Sequence, residues 1–366
     1  MELKFKKKTI VEYLETVTKI IQSNSPLPAL QGLLIVATES NIKLLASNGN
    51  LSIKEIIEES KEVKIIEAGK VLVPGKLLFE VIKKQDEEIV ISTDKNSMII
   101  NSNNASTTIQ LLNVDDYPRI AFEDIGKELI IDSDNLKEII RNVSFAAADN
   151  DKRIILNGVN LVSKDGYITA SATNSFRLAQ EKLEVDSNSE FDITILSKNL
   201  KDFIPKDAKG SLTINVNNGG IITKYKNTTT SSKLIDGMYP NVSKLIPSNF
   251  KNILKIDKST LNNLIDKVTV VSEEGNKIVR LTIKDNKLTL ESKRNEIGDS
   301  KIECSDIKWS GDEKFVIVFN SGFLRDALAK FDGEIGIGFN GSHAPFVVKS
   351  KSNDNLVQLI LPHVSY

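Results

Sequence analysis

A single cysteine, Cys304, and two histidines, His343 and His363, are nearly all the soft-nucleophile and metal-ligand chemistry in a chain of 366 residues. One cysteine cannot close an intramolecular disulfide, so stability must come from packed cores, and a reducing, cytoplasmic setting is expected. The histidines belong to no HExxH-like pattern, and no metal or cofactor is implied. Long apolar runs are missing as well. No stretch approaches the roughly 18 residues of a membrane span, and acids interrupt the basic start, MELKFKKKTIVEYL, before a signal-type segment develops. Excess charge of one sign is also absent. The net charge is −1, which excludes a chain basic or acidic throughout but leaves room for a basic face opposite an acidic one. A chain this long, with 40% hydrophobic residues, suits two or three domains.

What is present is one plan written three times. Each third opens with an amphipathic helix: Ile10, Tyr13, Leu14 and Val17, then Leu136, Ile139, Ile140 and Val143, then Leu261, Leu264, Ile265 and Val268. That spacing puts four apolar groups on one stripe. Asp132 and Asp257 precede the second and third stripes, where a carboxylate can accept first-turn amide hydrogens. A hairpin follows each helix. The clearest runs from Arg153 to Lys182 and turns at Asp165-Gly166; its relatives run from Gln31 to Asn48 and from Ile278 through Asp285-Asn286 to Leu290. Next come a strand and a shorter helix: Val71–Pro74 into Leu78, Val81 and Ile82; Ile193–Leu196 into Leu200, Phe203 and Ile204; Val316–Phe319 into Leu324, Ala327 and Leu328. Each third returns to a hairpin (Glu88–Ile91 with Ser97–Asn101, Leu212–Val216 with Ile221–Tyr225, Ile335–Phe339 with Phe346–Lys349) and ends on a proline, Pro118, Pro240 or Pro362. Three domains of one fold, packed rigidly in a row, is the economical reading. Asp124–Lys127 and Pro247–Asn252 are the polar, turn-prone junctions.

No acid, base or nucleophile recurs with the repeat, which argues against an enzyme. Gly336-Ile-Gly-Phe-Asn-Gly341 satisfies GxGxxG, but the residues after it are strand-like, so a hairpin turn is expected where a dinucleotide site would need a helix. Asp115-Asp116 and Glu273-Glu274 read as solvated loop acids. The helices carry scattered cations: Lys76, Lys83 and Lys84; Lys198, Lys201, Lys206 and Lys209; Arg325 and Lys330; with Lys6, Lys7, Lys8, Lys19, Lys137 and Arg141 on the first helices. An ordinary charged outer face accounts for any one helix. Together they could present phosphate contacts blind to sequence. Leu156, Thr173–Leu178, Pro240–Leu245 and Leu359–Val364 are apolar pieces brought together by the repeat, fitting either a short-peptide groove or a plain domain seam. A DNA-free interaction scaffold and a nucleotide-dependent enzyme using Gly336–Gly341 are the rival readings.

Several stretches carry a resemblance: Leu27-Pro28-Ala29-Leu30, Leu156-Asn157-Gly158, Ser171–Ala179, Ser232–Pro240 and the final Leu361-Pro362. End to end and in order, the chain resembles the bacterial sliding clamp, the β subunit of DNA polymerase III. The resemblance implies an α+β fold of three tandem helix–sheet–helix–sheet clamp domains, 1–124, 125–250 and 251–366, with helices inside and sheets outside a dimeric ring. It implies a non-catalytic processivity factor without cofactor, encircling duplex DNA topologically and without sequence preference. Its partners would be a second copy, head to tail, and the polymerase III catalytic subunit, the clamp loader, other polymerases and repair proteins, docking through a short linear motif. By position, Lys76, Lys83, Lys198 and Lys206 would face DNA. The peptide pocket would comprise Leu156, Thr173, Ser175, Phe176, Arg177, Leu178, Pro240, Lys244, Leu245, Leu359, Leu361, Pro362, His363 and Val364, with Arg177 orienting the bound chain and dispensable for folding. Thr107 and Ile109 of one chain would meet Val270 and Val271 of the other. Asn174 stands where members usually have Asp, Asn24 where Arg is common, and Thr107 where a bulky apolar residue is usual; the C-terminus, His363–Tyr366, lacks the usual basic residue.

Overall fold

Local alternation and turn chemistry build most of this molecule. The computed structural model describes residues 1–122, 126–217, 219–272, 277–294 and 297–363. In the first third these form β1 (Glu2–Lys6), α1 (Lys7–Thr18), β2 (Gly32–Ala37), β3 (Asn41–Ser47), β4 (Leu51–Glu58), β5 (Val63–Glu67), β6 (Gly69–Pro74), α2 (Gly75–Lys83), β7 (Glu88–Thr93), β8 (Ser97–Ser102) and β9 (Ala105–Gln110). The middle third gives β10 (Lys127–Asp132), α3 (Ser133–Val143), β11 (Gly158–Lys164), β12 (Tyr167–Thr173), β13 (Arg177–Glu184), β14 (Phe191–Leu196), α4 (Ser197–Phe203), β15 (Ser211–Asn217), β16 (Gly220–Tyr225) and β17 (Thr228–Ser232). The last gives β18 (Asn252–Asp257), α5 (Lys258–Val268), β19 (Ile278–Lys284), β20 (Lys287–Arg294), β21 (Gly298–Cys304), β22 (Lys308–Ser310), β23 (Lys314–Asn320), α6 (Ser321–Leu328), β24 (Glu334–Phe339), β25 (Phe346–Ser350) and β26 (Asn353–Ile360).

The helical stripes are buried as their spacing requires: Ile10, Leu14 and Val17 in α1, all four residues of α3 and all four of α5. The hairpin turns adopt the positive φ angles that suit tight connections, at Asp165 and Gly166 and again at Asp285 and Asn286. One expectation needs correcting. The thirds open with a strand, not a helix: β1, β10 and β18 each precede the first helix. Only two apolar residues alternate in each (Leu3 and Phe5, Leu129 and Ile131, Leu254 and Ile256), too short a pattern to stand out beside the helical stripe. Lys127 and Asn252, placed in junctions by composition, therefore start strands; Glu123–Ile125, Asn218 and Glu273-Glu274 lie outside the described residues.

The chain falls into two compact units, Met1–Asp134 with Asn199–Leu234, and Asn135–Lys198 with Ile235–Tyr366. The middle third is divided between them, because its two sheets continue into its neighbours' sheets. The first unit holds a five-stranded sheet, β5-β1-β7-β8-β9, and an eight-stranded one, β10-β15-β16-β17-β4-β3-β2-β6. The second holds a nine-stranded sheet, β14-β11-β12-β13-β26-β25-β24-β18-β22, and a four-stranded one, β21-β20-β19-β23. Two seams thus join strands from different thirds: β17 with β4, and β26 with β13.

Candidate functional site

In the second unit, the seam between β13 and β26 assembles the apolar surface foreshadowed by the sequence. Leu178 pairs with Leu359 across it, and the Leu361 amide donates to the Phe176 carbonyl at 2.9 Å. Leu178, Tyr239, Val242, Val347 and Leu359 form one buried cluster, with Ile155, Ile246, Phe250 and Val357 against it. The expected pocket residues separate into two groups. Leu156, Leu178, Leu359 and Thr173 are buried, with Leu178 and Leu359 forming a floor. Phe176 (62% exposed), Leu245 (61%) and Leu361 (38%) are open, and Ser175, Pro240, Lys244 and His363 are exposed beside them in the same segments. Pro362 is half-buried, the His363 amide donates to the Val318 carbonyl at 2.7 Å, and Val364 lies outside the described residues. Exposed apolar side chains cost free energy unless something covers them, so this rim is where a partner would gain most. Ile154 and Met238, exposed in two of the same segments, were not anticipated; their apolar character beside Leu156 and Pro240 was the available signal.

The loop Thr173–Arg177 is held by its own side chains. Asn174 Oδ1 accepts from the amides of Phe176 and Arg177, both at 3.0 Å, an Asx turn that Asn makes as well as Asp would. Thr173 donates to the Arg177 carbonyl at 2.7 Å, Arg153 donates to Ser175 Oγ at 2.9 Å, and Ser175 takes a positive φ of 73°. Arg177 itself is engaged inside the chain. Its Nη2 donates to the Phe145 carbonyl at 2.5 Å, its Nη1 is ion-paired with Asp326, and its guanidinium lies 5.1 Å from the Phe145 ring centre and 4.9 Å from that of Phe323. Phe176 stacks on the same Phe323 at 6.5 Å. The Arg177 side chain is only 13% exposed. Such a caged cation supports the fold directly.

The expected DNA-facing lysines are all exposed. Lys76 and Lys198 occupy the second position of α2 and α4, and neither makes an ion pair among the described residues. Lys83 lies 3.7 Å from Glu80 and 5.0 Å from the Phe79 ring centre. Lys206 follows α4. Gly322, at the second position of α6, and polar Asn24, exposed after α1, carry no charge.

The expected dimer residues sit near strand edges that are unpaired among the described residues. Thr107 is half-buried and Ile109 buried on β9, which ends the five-stranded sheet; Val270 (80% exposed) and half-buried Val271 follow α5, beside the four-stranded sheet that β21 ends. The internal seams show what such edges can do. β4 and β13 are the third strands of their hairpin sheets, as β21 is of its own; β17 and β26 are the last strands of theirs, as β9 is. Asp202 and Asp326, each sixth in its helix, both form ion pairs, Asp202 with Lys19 just after α1 (3.7 Å) and Asp326 with Arg177 at the start of β13.

The glycine motif at Gly336–Gly341 ends β24 and leads by a turn into β25, so the helix that a dinucleotide site requires is not there. Among the described residues no His, Cys, Asp and Glu cluster could hold a metal, and no helix is long and apolar enough to cross a membrane.

Comparison with known proteins covers the whole length. The chain matches family models for the N-terminal (residues 1–121), central (130–241) and C-terminal (243–364) domains of the DNA polymerase III beta subunit. It is 32% identical over 367 residues to a beta sliding clamp of Mycoplasmopsis pulmonis, covering 98% of each chain, and 30% identical over 379 residues to that of Staphylococcus epidermidis, covering 100% of each. The crystal structure of the DNA polymerase sliding clamp from Bacillus subtilis superposes with a TM-score of 0.94 at 28% identity, covering 100% of both chains.

Proposed function

The chain belongs to the sliding-clamp family, the β subunits of DNA polymerase III, and on that premise we propose that two copies close head to tail into a ring around duplex DNA. It is a non-catalytic accessory subunit of DNA replication with three tandem clamp domains. We place their boundaries at 1–124, 125–250 and 251–366. The observation that carries the ring is the repeated seam. The same edge-to-edge joint is used at β4·β17 and β13·β26, and the matching edges β21 and β9 are left open. A heterologous contact that recurs through a rotation either closes or grows into a fibre. With three repeats per chain, two chains close a ring of six.

In that ring, Val270 takes the place that Lys19 and Phe145 hold after α1 and α3, and Thr107 and Ile109 present the β9 edge. Lys76, Lys83, Lys198 and Lys206 supply phosphate contacts that are weak singly, lack base-reading partners, and allow sliding. Polymerase and other replication and repair proteins are tethered by a short peptide laid over Phe176, Leu245 and Leu361, with the Leu178–Leu359 floor beneath.

Retention on DNA tests the reading. The protein, loaded by its clamp loader onto nicked circular plasmid, should survive a high-salt wash and be released when the circle is linearised. Equal loss from circles and linear DNA in high salt would mean an electrostatic contact only, and the ring would be discarded.

A further inference from the structure

One buried position distinguishes the closed seams from the open edges. Following the ladders outward from Leu72, Thr194 and Val318 leads through Leu34, Asn160 and Arg280 and through Leu45, Ser171 and Glu291 to Lys54, Gln180 and Lys301. The next residues, Glu55, Glu181 and Ile302, are therefore equivalent. Glu55 is 3% exposed and its Oε1 accepts from Thr228 Oγ1 at 2.5 Å, across the β4·β17 seam. Glu181 is 7% exposed and its Oε1 accepts from Asn353 Nδ2 at 2.6 Å, across β13·β26. The donors sit differently: Thr228 is the ladder partner of Glu55, whereas Glu181 stands opposite Leu356 and takes its hydrogen bond from Asn353, the first residue of β26. Ala105, opposite Ser102, is the first residue of β9.

We propose that this position is a pairing code, a buried Glu given a donor from across each closed seam and Ile302 facing Ala105 at the open one, by which β9 and β21 of two copies select each other and reject the β4 and β17 edges that belong inside the chain. The inference rests on the head-to-tail reading above. A carboxyl buried without a donor, or a hydroxyl or amide buried against an isoleucine, loses its hydrogen bonds to water and gains none in return. Ala105 facing Glu55 would leave the carboxyl without its donor, and Thr228 facing Ile302 would strand a hydroxyl. Ile302 against Ala105 satisfies both sides with apolar contact. The code also sets register, because side chains in a ladder change face with every one-residue slip. Thr230 pairs with Ile53 and Gln358 with Ala179 at the same place in the two closed seams, so Thr107 should pair with Ser300 of the second copy.

The test is a double-mutant cycle on dimerisation of the full-length protein, followed by sedimentation equilibrium. Ile302→Glu and Ala105→Thr each create a mismatch and should each raise the dimer Kd by about tenfold or more. Both lie on an outer strand where a polar side chain is tolerated, and thermal melts of each variant check that it folds; either single variant alone suffices to read the mismatch. The double variant rebuilds the directly opposed Glu/Thr pair of the first seam and should return the Kd to within about threefold of wild type. Single variants that dimerise like wild type, or a double variant as weak as the two losses combined, would refute the code. A wild-type protein that stays monomeric at every concentration would instead refute the head-to-tail reading, a separate outcome.

Discussion

Glu55 shows how far a single side chain can depart from its behaviour in water. Burial raises its pKa to about 7, with the Asp207 charge adding to the effect and the Thr228 hydroxyl and Lys19 opposing it. Glu181 is shifted the same way, again chiefly by burial. In the unfolded chain a glutamate ionises near 4.5, so between that value and about 7 the folded protein holds a proton that the unfolded one has released. The stability this proton contributes is complete below about 4.5 and is lost as the pH rises through 7. Glu55→Gln keeps an acceptor for Thr228 and removes the titration. Urea denaturation should show wild-type stability falling across this window and the variant, which still carries Glu181, falling less steeply, with the variant ahead by roughly 2 kcal/mol above neutrality. Parallel pH profiles would show that Glu55 ionises normally.

At the scale of elements, capping explains which helices announce themselves. Asp257 accepts from the amides of Ser259 (2.8 Å) and Thr260 (3.1 Å) at the start of α5, and Asp132 accepts from the amide of Asp134 (2.9 Å) at α3. Both were legible because a cap is a local signal. α1 has no side-chain cap. The Lys7 amide donates instead to the Glu87 carbonyl at 2.7 Å, a partner far along the chain. Asp257→Ala should cost about 1 kcal/mol in thermal or chemical denaturation. A cost near zero would mean that packing of Leu261, Leu264, Ile265 and Val268 alone fixes that helix.

For the whole molecule, the pocket and the fold must be probed with different residues. Arg177 was expected to orient a bound peptide without supporting the fold, but its cage of Phe145, Phe323 and Asp326 makes it a stabilising group. Arg177→Ala should therefore lower stability by about 1–3 kcal/mol. Phe176→Ala with Leu361→Ala, both on the open rim, should leave the melting temperature close to wild type and weaken a polymerase-derived peptide at least about tenfold by calorimetry. Unchanged peptide affinity in that double variant would move the docking surface elsewhere. The split was hidden in the sequence because Phe176 and Arg177 are neighbours, and nothing local tells which one faces solvent.

The sequence by itself determined the threefold plan, the helical stripes and the tight hairpins, because periods of 3.6 and 2 and turn residues act over a few positions. It also carried the family, through stretches spread from Leu27 to Pro362. Only the tertiary structure decided that the middle third is shared between two compact units, that Glu55 and Glu181 lie buried at matching seams, and that Arg177 is enclosed by Phe145 and Phe323. Each of these depends on strands or side chains that meet across different thirds of the chain. Their free energy comes from removing polar groups from water and pairing them at long range, and that is settled only once the sheets have joined.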